Sequence, residues 1–237
     1  MTKRGLFITL EGMDGSGKTT QHGLLGKYLR ESGLPVLETR EPGGTGAGEK
    51  IRRILLADRG RRPGRLGRPG RQDELAPLTE LTLMYAARAQ HLEEVVRPAL
   101  ERGQLVVSDR FNDASMAYQG YGRQLGAETV RAMDRIICGR TQPDLTLVLD
   151  LPARLALERA RGREARRRSK HGRFEAQSLS FHERVRAGYL AIARRDPRRV
   201  KVVNADQPVA EVEHQIRRVV DSFLKKGNRE QGTGNRR

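Results

Sequence analysis

Tryptophan is absent from this chain of 237 residues, aromatics make up 4%, and there is one cysteine. Each shortage excludes something. With no Trp and few Phe or Tyr, there is no obvious platform on which nucleic-acid bases could stack. The lone Cys138 rules out an internal disulfide framework. It lies in an apolar helical stretch, 132–138, and reads as a small buried hydrophobe rather than a nucleophile. No apolar run approaches the ~20 residues a membrane-spanning helix needs. The first residues lead straight into a strand pattern, which argues against a secretory leader and for a soluble, cytoplasmic protein with no membrane partner. No histidine stands in a compelling place for acid–base work; His22 and His91 fall on helical segments and read as surface or packing residues.

Negative charge is also scarce: 29 Asp and Glu face 46 Lys and Arg, for a net charge of +17. That raises nucleic-acid binding as a hypothesis. The distribution weakens it, because the excess is gathered in Gly/Pro/Arg-rich stretches, six arginines falling in 59–71 alone. General, salt-sensitive affinity for polyanions is expected, not a specific nucleic-acid site.

What is present is concentrated in Gly12-Met13-Asp14-Gly15-Ser16-Gly17-Lys18-Thr19. An apolar run (6–10) precedes it, and a helical pattern beginning at Thr20 follows. Strand, Gly-x4-Gly-Lys-Thr loop and helix form the phosphate-binding pattern. Glycines let consecutive backbone N–H groups turn inward around a phosphate, and the helix aims its positive end at the same anion. Lys18 adds a mobile charge for the outer phosphates, and the Thr19 hydroxyl suits Mg2+. The loop from Gly12 to Thr20 therefore reads as a site for the phosphates of a nucleoside triphosphate.

The rest of the chain alternates. Strands are expected over 5–11, 34–39, 104–108, 145–149 and 199–203. Helices are expected over 20–32, 48–57, 75–101 (with a kink or break at Pro98), 126–138, 174–194 and 209–224, with another starting near 152. This predicts a doubly wound α/β fold, a five-stranded parallel sheet flanked by helices. A single domain covers 1–226. It carries an Arg/Gly/Pro-rich insertion at 58–73 and an Arg-rich lid at 161–174, and 227–237 is expected to be a disordered basic tail.

Mg2+ needs an acidic partner at a neighbouring strand end. Asp109 and Asp150 both follow apolar runs. Asp109 is favoured because Arg110 follows it, whereas Asp150 looks like a helix N-cap. With no base in view but Arg52, Arg110 and a basic lid on offer, the acceptor reads as a nucleoside monophosphate. Its phosphate is already anionic and needs only neutralisation and positioning.

Five further motifs, in order, carry a resemblance to the thymidylate kinase family, spanning about 5–224. They are Glu41-Pro42-Gly43-Gly44-Thr45, Tyr85-Ala86-Ala87-Arg88, Asp109-Arg110-Phe111 with Ala117-Tyr118-Gln119-Gly120, Arg173-Phe174-Glu175, and Asn204-Ala205-Asp206-Gln207-Pro208. The resemblance implies a P-loop nucleoside kinase fold, ATP and dTMP as substrates, Mg2+ bound with Thr19 and Asp109, and a homodimer formed through helices such as those around 75–101. It implies that Asp14, Glu41 and Pro42 border the dTMP site and that Arg52 and Arg110 hold the dTMP phosphate. Arg88 would contact the thymine edge, and Ser115, Tyr118 and Gln119 would line the base and sugar pocket. No basic residue interrupts the first loop, so the sequence resembles the variant whose transition-state arginine comes from the lid. Arg159, Arg161, Arg163 and Arg173 are the candidates, acting with Lys18 and Asp109. Met84 stands where the family usually places an aromatic ring on thymine, so a related kinase with a different base preference is the alternative.

Overall fold

The computed structural model describes residues 4–57, 75–167, 174 and 177–232. Five strands, β1 (Phe7–Glu11), β2 (Val36–Arg40), β3 (Leu105–Asp109), β4 (Leu145–Asp150) and β5 (Val200–Asn204), form one sheet in the order β2-β3-β1-β4-β5. Every pairing is parallel. The chain reverses direction of winding beside β1, so the loop after β1 opens at the switch point where such sheets bind ligands. β1 is buried at all its residues. Alternation sorts its side chains between two layers: Ile8 and Leu10 join one apolar cluster with Leu105 and Val107, whereas Phe7 and Val106 join another. Helices on both faces explain why the central strands read as continuous apolar runs rather than alternating ones.

The helices are α1 (Lys18–Glu31), α2 (Gly46–Leu56), α3 (Pro77–His91), α4 (Arg97–Glu101), α5 (Asn112–Ser115), α6 (Ala127–Ile137), α7 (Ala153–Arg167), α8 (Leu179–Arg195) and α9 (Val209–Gly232). Wide π turns bridge α3 to α4 over Leu92–Val96 and follow α5 over Met116–Gly122. The expected break at Pro98 is this first π turn. Pro98 has no N–H to offer an i−4 carbonyl and its ring crowds the preceding turn, so the helix widens ahead of it. Gly33, at φ 78°, ends α1 as its sequence position predicts. Cys138 is fully buried in the cluster of Phe7 and Leu81, as expected.

Two expectations change. Asp150 does not cap α7. That helix starts at Ala153, and both Asp150 oxygens are held by Arg186, at 2.7 and 2.8 Å. A bidentate guanidinium competes better for a carboxylate than helix N–H groups do. α9 continues to Gly232, running through Gly227, where a disordered tail was expected to begin. Of the two readings of His91, packing is the one that holds: it is fully buried between Thr39 and Glu41. The insertion at 58–73 and the lid residues 168–173 lie outside the described residues, as do 233–237.

Candidate active site

The phosphate loop is shaped by contacts that tolerate no side chain. Gly12, at φ 136°, places its Cα so that a Cβ would lie 2.6 Å from the Leu149 carbonyl, and a Cβ on Gly15 would lie 2.0 Å from that of Ala156. The loop is thus wedged between the end of β4 and the start of α7, and only glycine fits. α1 begins at Lys18 directly after Gly17. Lys18 is buried, and its Nζ donates to the Met13 carbonyl at 2.8 Å. Burial, then the Arg110 charge, push its pKa down to about 8. The Ser16 hydroxyl is buried with no hydrogen-bond partner among the described residues, a polar group turned inward within an anion cradle. Thr19 Oγ1 donates to Asp109 Oδ2 at 3.1 Å, so the two oxygens expected at a metal stand together.

Beside the loop opens a cavity of about 550 Å³. Its floor is Asp14, Lys18, Thr19 and Asp109, and its far walls are Glu41, Pro42 and Arg52 on one side and Met84 and Arg88 on another. Arg110, Ser115, Tyr118 and Gln119 complete it. Every residue assigned from the sequence to the acceptor nucleotide therefore lines one space. Of the phosphate-loop residues, Gly15, Gly17 and Thr20 also reach it, whereas Gly12, Met13 and Ser16 do not. Arg159 does not line it: it donates to the Ala205 carbonyl and to Asp206, each at 3.1 Å, tying α7 to the turn after β5. Arg161 is exposed on α7. The side chains of Arg163 and Arg173 lie outside the described residues.

Two arginines dominate the walls. Arg88 is 2% exposed. Its Nε donates to Glu41 Oε2 at 2.7 Å, and its Nη2 donates to the Phe111 carbonyl and Ser115 Oγ at 3.0 and 3.1 Å. Burial opposes charge on both partners, yet each holds the other ionised: Arg88 is raised and the Glu41 carboxyl lowered. Arg88 is thus mostly committed inside the wall. Arg110 is placed differently. Its Nη2 donates to Asp14 Oδ1 at 2.8 Å and Tyr118 Oη at 3.2 Å, and Tyr118 Oη donates to Asp14 Oδ2 at 3.2 Å. Burial works against the Asp14 charge, but Arg110 and then Lys18 keep its carboxyl well below the usual range. Arg52 donates to the Pro42 carbonyl at 2.8 Å, while burial and the neighbouring Arg40 lower its pKa. Arg40, Arg52 and Arg110 therefore give the walls a positive field suited to an anionic ligand.

Sequence reasoning passed over Glu11. It is a fully buried acid at the end of β1, accepting from the Phe111 N–H at 2.7 Å and from Tyr189 Oη at 2.9 Å. Its one signal was a charge at the end of an otherwise apolar strand. Phe174 and Arg40 also line the cavity, and Phe174 meets Tyr118 edge-on with ring centroids 5.5 Å apart.

Comparison with known proteins agrees with this geometry. The family model described as thymidylate kinase matches residues 10–216. A thymidylate kinase of Desulfovibrio desulfuricans is 44% identical over 94% of this chain and 99% of its own. One of Alkalilimnicola ehrlichii is 48% identical, covering 88% of this chain and 89% of the relative. The crystal structure of thymidylate kinase from Ehrlichia chaffeensis superposes with a TM-score of 0.69 at 30% identity, covering 92% of this chain and 99% of that one. A phosphate loop at the sheet's switch point, an arginine-walled cavity beside it and matches along nearly the whole length agree: the chain belongs to the thymidylate kinase family.

Proposed function

We propose that this protein transfers the γ-phosphate of ATP to dTMP, giving dTDP and ADP. The observation that carries the reading is the single cavity that joins Lys18 and Thr19 of the phosphate loop to Arg52, Arg88 and Arg110. The loop from Gly12 to Thr20 binds the ATP phosphates through its backbone and Lys18. The dTMP phosphate lies against Arg52 and Arg110, and Asp14 accepts from the sugar hydroxyl. Glu41 and Pro42 border this site, and Gln119 closes it. Tyr118 crowds a 2′-hydroxyl, and Arg88 and Ser115 face the base together with Met84. A phosphate monoester is already anionic near neutrality, so the acceptor needs no general base. The protein's contribution is alignment of the two phosphates and neutralisation of their charge.

Mg2+ fits the donor set. Thr19 and Asp109 offer hard oxygens at the ends of adjacent elements, and the ion would neutralise charge on the ATP phosphates. Among the described residues no cluster of three or more ligand side chains occurs. A transition-state arginine from Arg159, Arg161, Arg163 or Arg173 completes the reading, as does a cytoplasmic homodimer. Exposed Leu78 on α3, within the helices expected at the interface, supports association there, and light scattering tests it. No helix is long and apolar enough to cross a membrane among the described residues.

The test is an acceptor panel with Mg-ATP. dTMP is expected to be the preferred acceptor. A wide preference for CMP or AMP overturns the reading, and a preference for dUMP or dGMP would instead support the kinase of altered base choice that Met84 suggests.

A further inference from the structure

Arg110 is held from behind by residues that never reach the cavity. Its backbone sits at φ 76°, a left-handed conformation that is unfavourable for a non-glycine residue. Two hydrogen bonds fix it there: the Arg110 N–H donates to the Leu10 carbonyl at 3.0 Å, and the fully buried Ser108 donates its hydroxyl to the Arg110 carbonyl at 2.7 Å. The guanidinium is then divided between two directions. Nη2 faces Asp14 and Tyr118 on the cavity side. Nη1 donates to Tyr189 Oη at 3.1 Å.

Tyr189 is on α8, is 2% exposed and does not line the cavity. Its hydroxyl has one proton, and that proton goes to Glu11 Oε2 at 2.9 Å. This leaves an oxygen lone pair for Arg110. Glu11 is itself fixed, since its other oxygen accepts the Phe111 N–H at 2.7 Å. The chain Glu11, Tyr189, Arg110, Asp14 thus runs from the end of β1 through α8 into the phosphate loop. An arginine side chain gives up rotamer freedom when it is ordered. A group that has already ordered it leaves less to be lost on binding an anion.

We propose that Tyr189, anchored on Glu11, is a positioning residue that holds the Arg110 guanidinium in its anion-gripping orientation. The proposal rests on the assignment of Arg110 to the acceptor phosphate. It identifies a determinant of dTMP affinity outside the wall of the site.

The test is titration calorimetry of dTMP and of ATP separately on the full chain, with Tyr189→Phe, Arg110→Ala and the double variant. Tyr189→Phe keeps the ring, its edge-on contact with Tyr118 and the fold, and removes only the hydroxyl. Its dTMP Kd is expected to rise about tenfold, the scale of one charge-assisted hydrogen bond, with the ATP Kd unchanged. In the Arg110→Ala background the same change is expected to do nothing further to dTMP. Three results overturn the proposal: an unchanged dTMP Kd in Tyr189→Phe, an equal loss for both nucleotides, or a loss that persists in full without Arg110. If Arg110→Ala itself leaves dTMP binding intact, it is the acceptor-site assignment that fails. Thermal melting of each variant separates these outcomes from partial unfolding, which lowers the binding stoichiometry for both nucleotides alike.

Discussion

Glu11 and Glu41 are two buried glutamates at the ends of nearby strands, and they carry opposite charge preferences. Glu41, just after β2, touches a cation, Arg88, at 2.7 Å, and a ring nitrogen of His91 at 2.9 Å. Burial disfavours its charge, but Arg88 wins and the carboxyl stays below its ordinary range. Glu11, at the end of β1, touches only neutral donors, and Asp113 stands nearby. Burial dominates, and its pKa is pushed up to about 8. Lys18 shows the same softening in mirror image, pushed down to about 8. The wall proposed for the acceptor is built of charges locked by direct partners. The phosphate-loop end is built of charges that burial has brought close to neutrality, which is where a polyanionic ligand gains most by supplying the missing charge.

The contrast can be broken most sharply at Lys18. Lys18→Ala removes the loop's mobile charge, and kcat is expected to fall about 10³-fold, or about 4 kcal/mol of barrier. Thermal stability should hardly move, since Lys18 has no carboxylate closer than Asp14 at 4.0 Å. A near-normal kcat in steady-state assays would undo the loop's role. On the locked wall the expectation reverses. Arg88→Met strands the buried Glu41 charge and should cost about 3 kcal/mol of stability. In a domain of this size that is a melting-point drop of roughly 6–12 °C. Adding Glu41→Gln should recover part of it, and an unchanged Tm would show that the wall is not locked by this pair.

pH sharpens the same comparison. The folded pKa of Glu11 lies above its unfolded value near 4.5. Between those two values the native state holds a proton that the unfolded chain releases, so this contribution is complete below about pH 4.5 and is lost as pH rises toward 8. Glu11→Gln does not titrate. Its stability relative to wild type should therefore improve between pH 5 and 8, by at most about 1.4 kcal/mol per pH unit. Taking the difference between the two proteins cancels the other titrating groups, and a difference flat in pH by denaturant titration would refute the softened state of Glu11. A smaller effect is expected at Asp14, which joins the two regions. Asp14→Ala should raise the dTMP KM about tenfold while sparing that of ATP. An equal rise in both would move Asp14 to the donor side.

The sequence carried the strand order's ingredients and the cavity's lining because those depend on local pattern: apolar runs, glycine spacing, and charged residues at strand ends. Asp109 and Arg110 were legible for that reason. Glu11 and Tyr189 were not. Tyr189 is 79 residues from Arg110 and reads as one more apolar position of an amphipathic helix; only the packing of α8 against the sheet brings its hydroxyl to the guanidinium. His91 shows the same limit, since its helix left surface and packing roles open. Nothing in its helix reveals that Thr39 and Glu41, about 50 residues earlier, close over it. Asp150 shows the converse error, a local capping pattern overridden by a distant arginine.

Met84 tests the wall at its mildest point. It lines the cavity and packs partly buried against the main core, and the proposed reading sets it against the base. A thioether fits against a ring but keeps three torsions to be ordered. Phenylalanine has two torsions and offers a flat face worth about 0.5–1.5 kcal/mol beyond its area. Met84→Phe is therefore expected to lower the dTMP KM about threefold with kcat and the ATP KM unchanged, and the cavity's volume argues that the ring can be accommodated. If the KM for dTMP rises while Tm falls, the added ring overpacks the wall. If dTMP is unaffected and another nucleotide improves instead, the base does not lie against Met84, and the locked wall recognises its ligand through Arg88 and Ser115 alone.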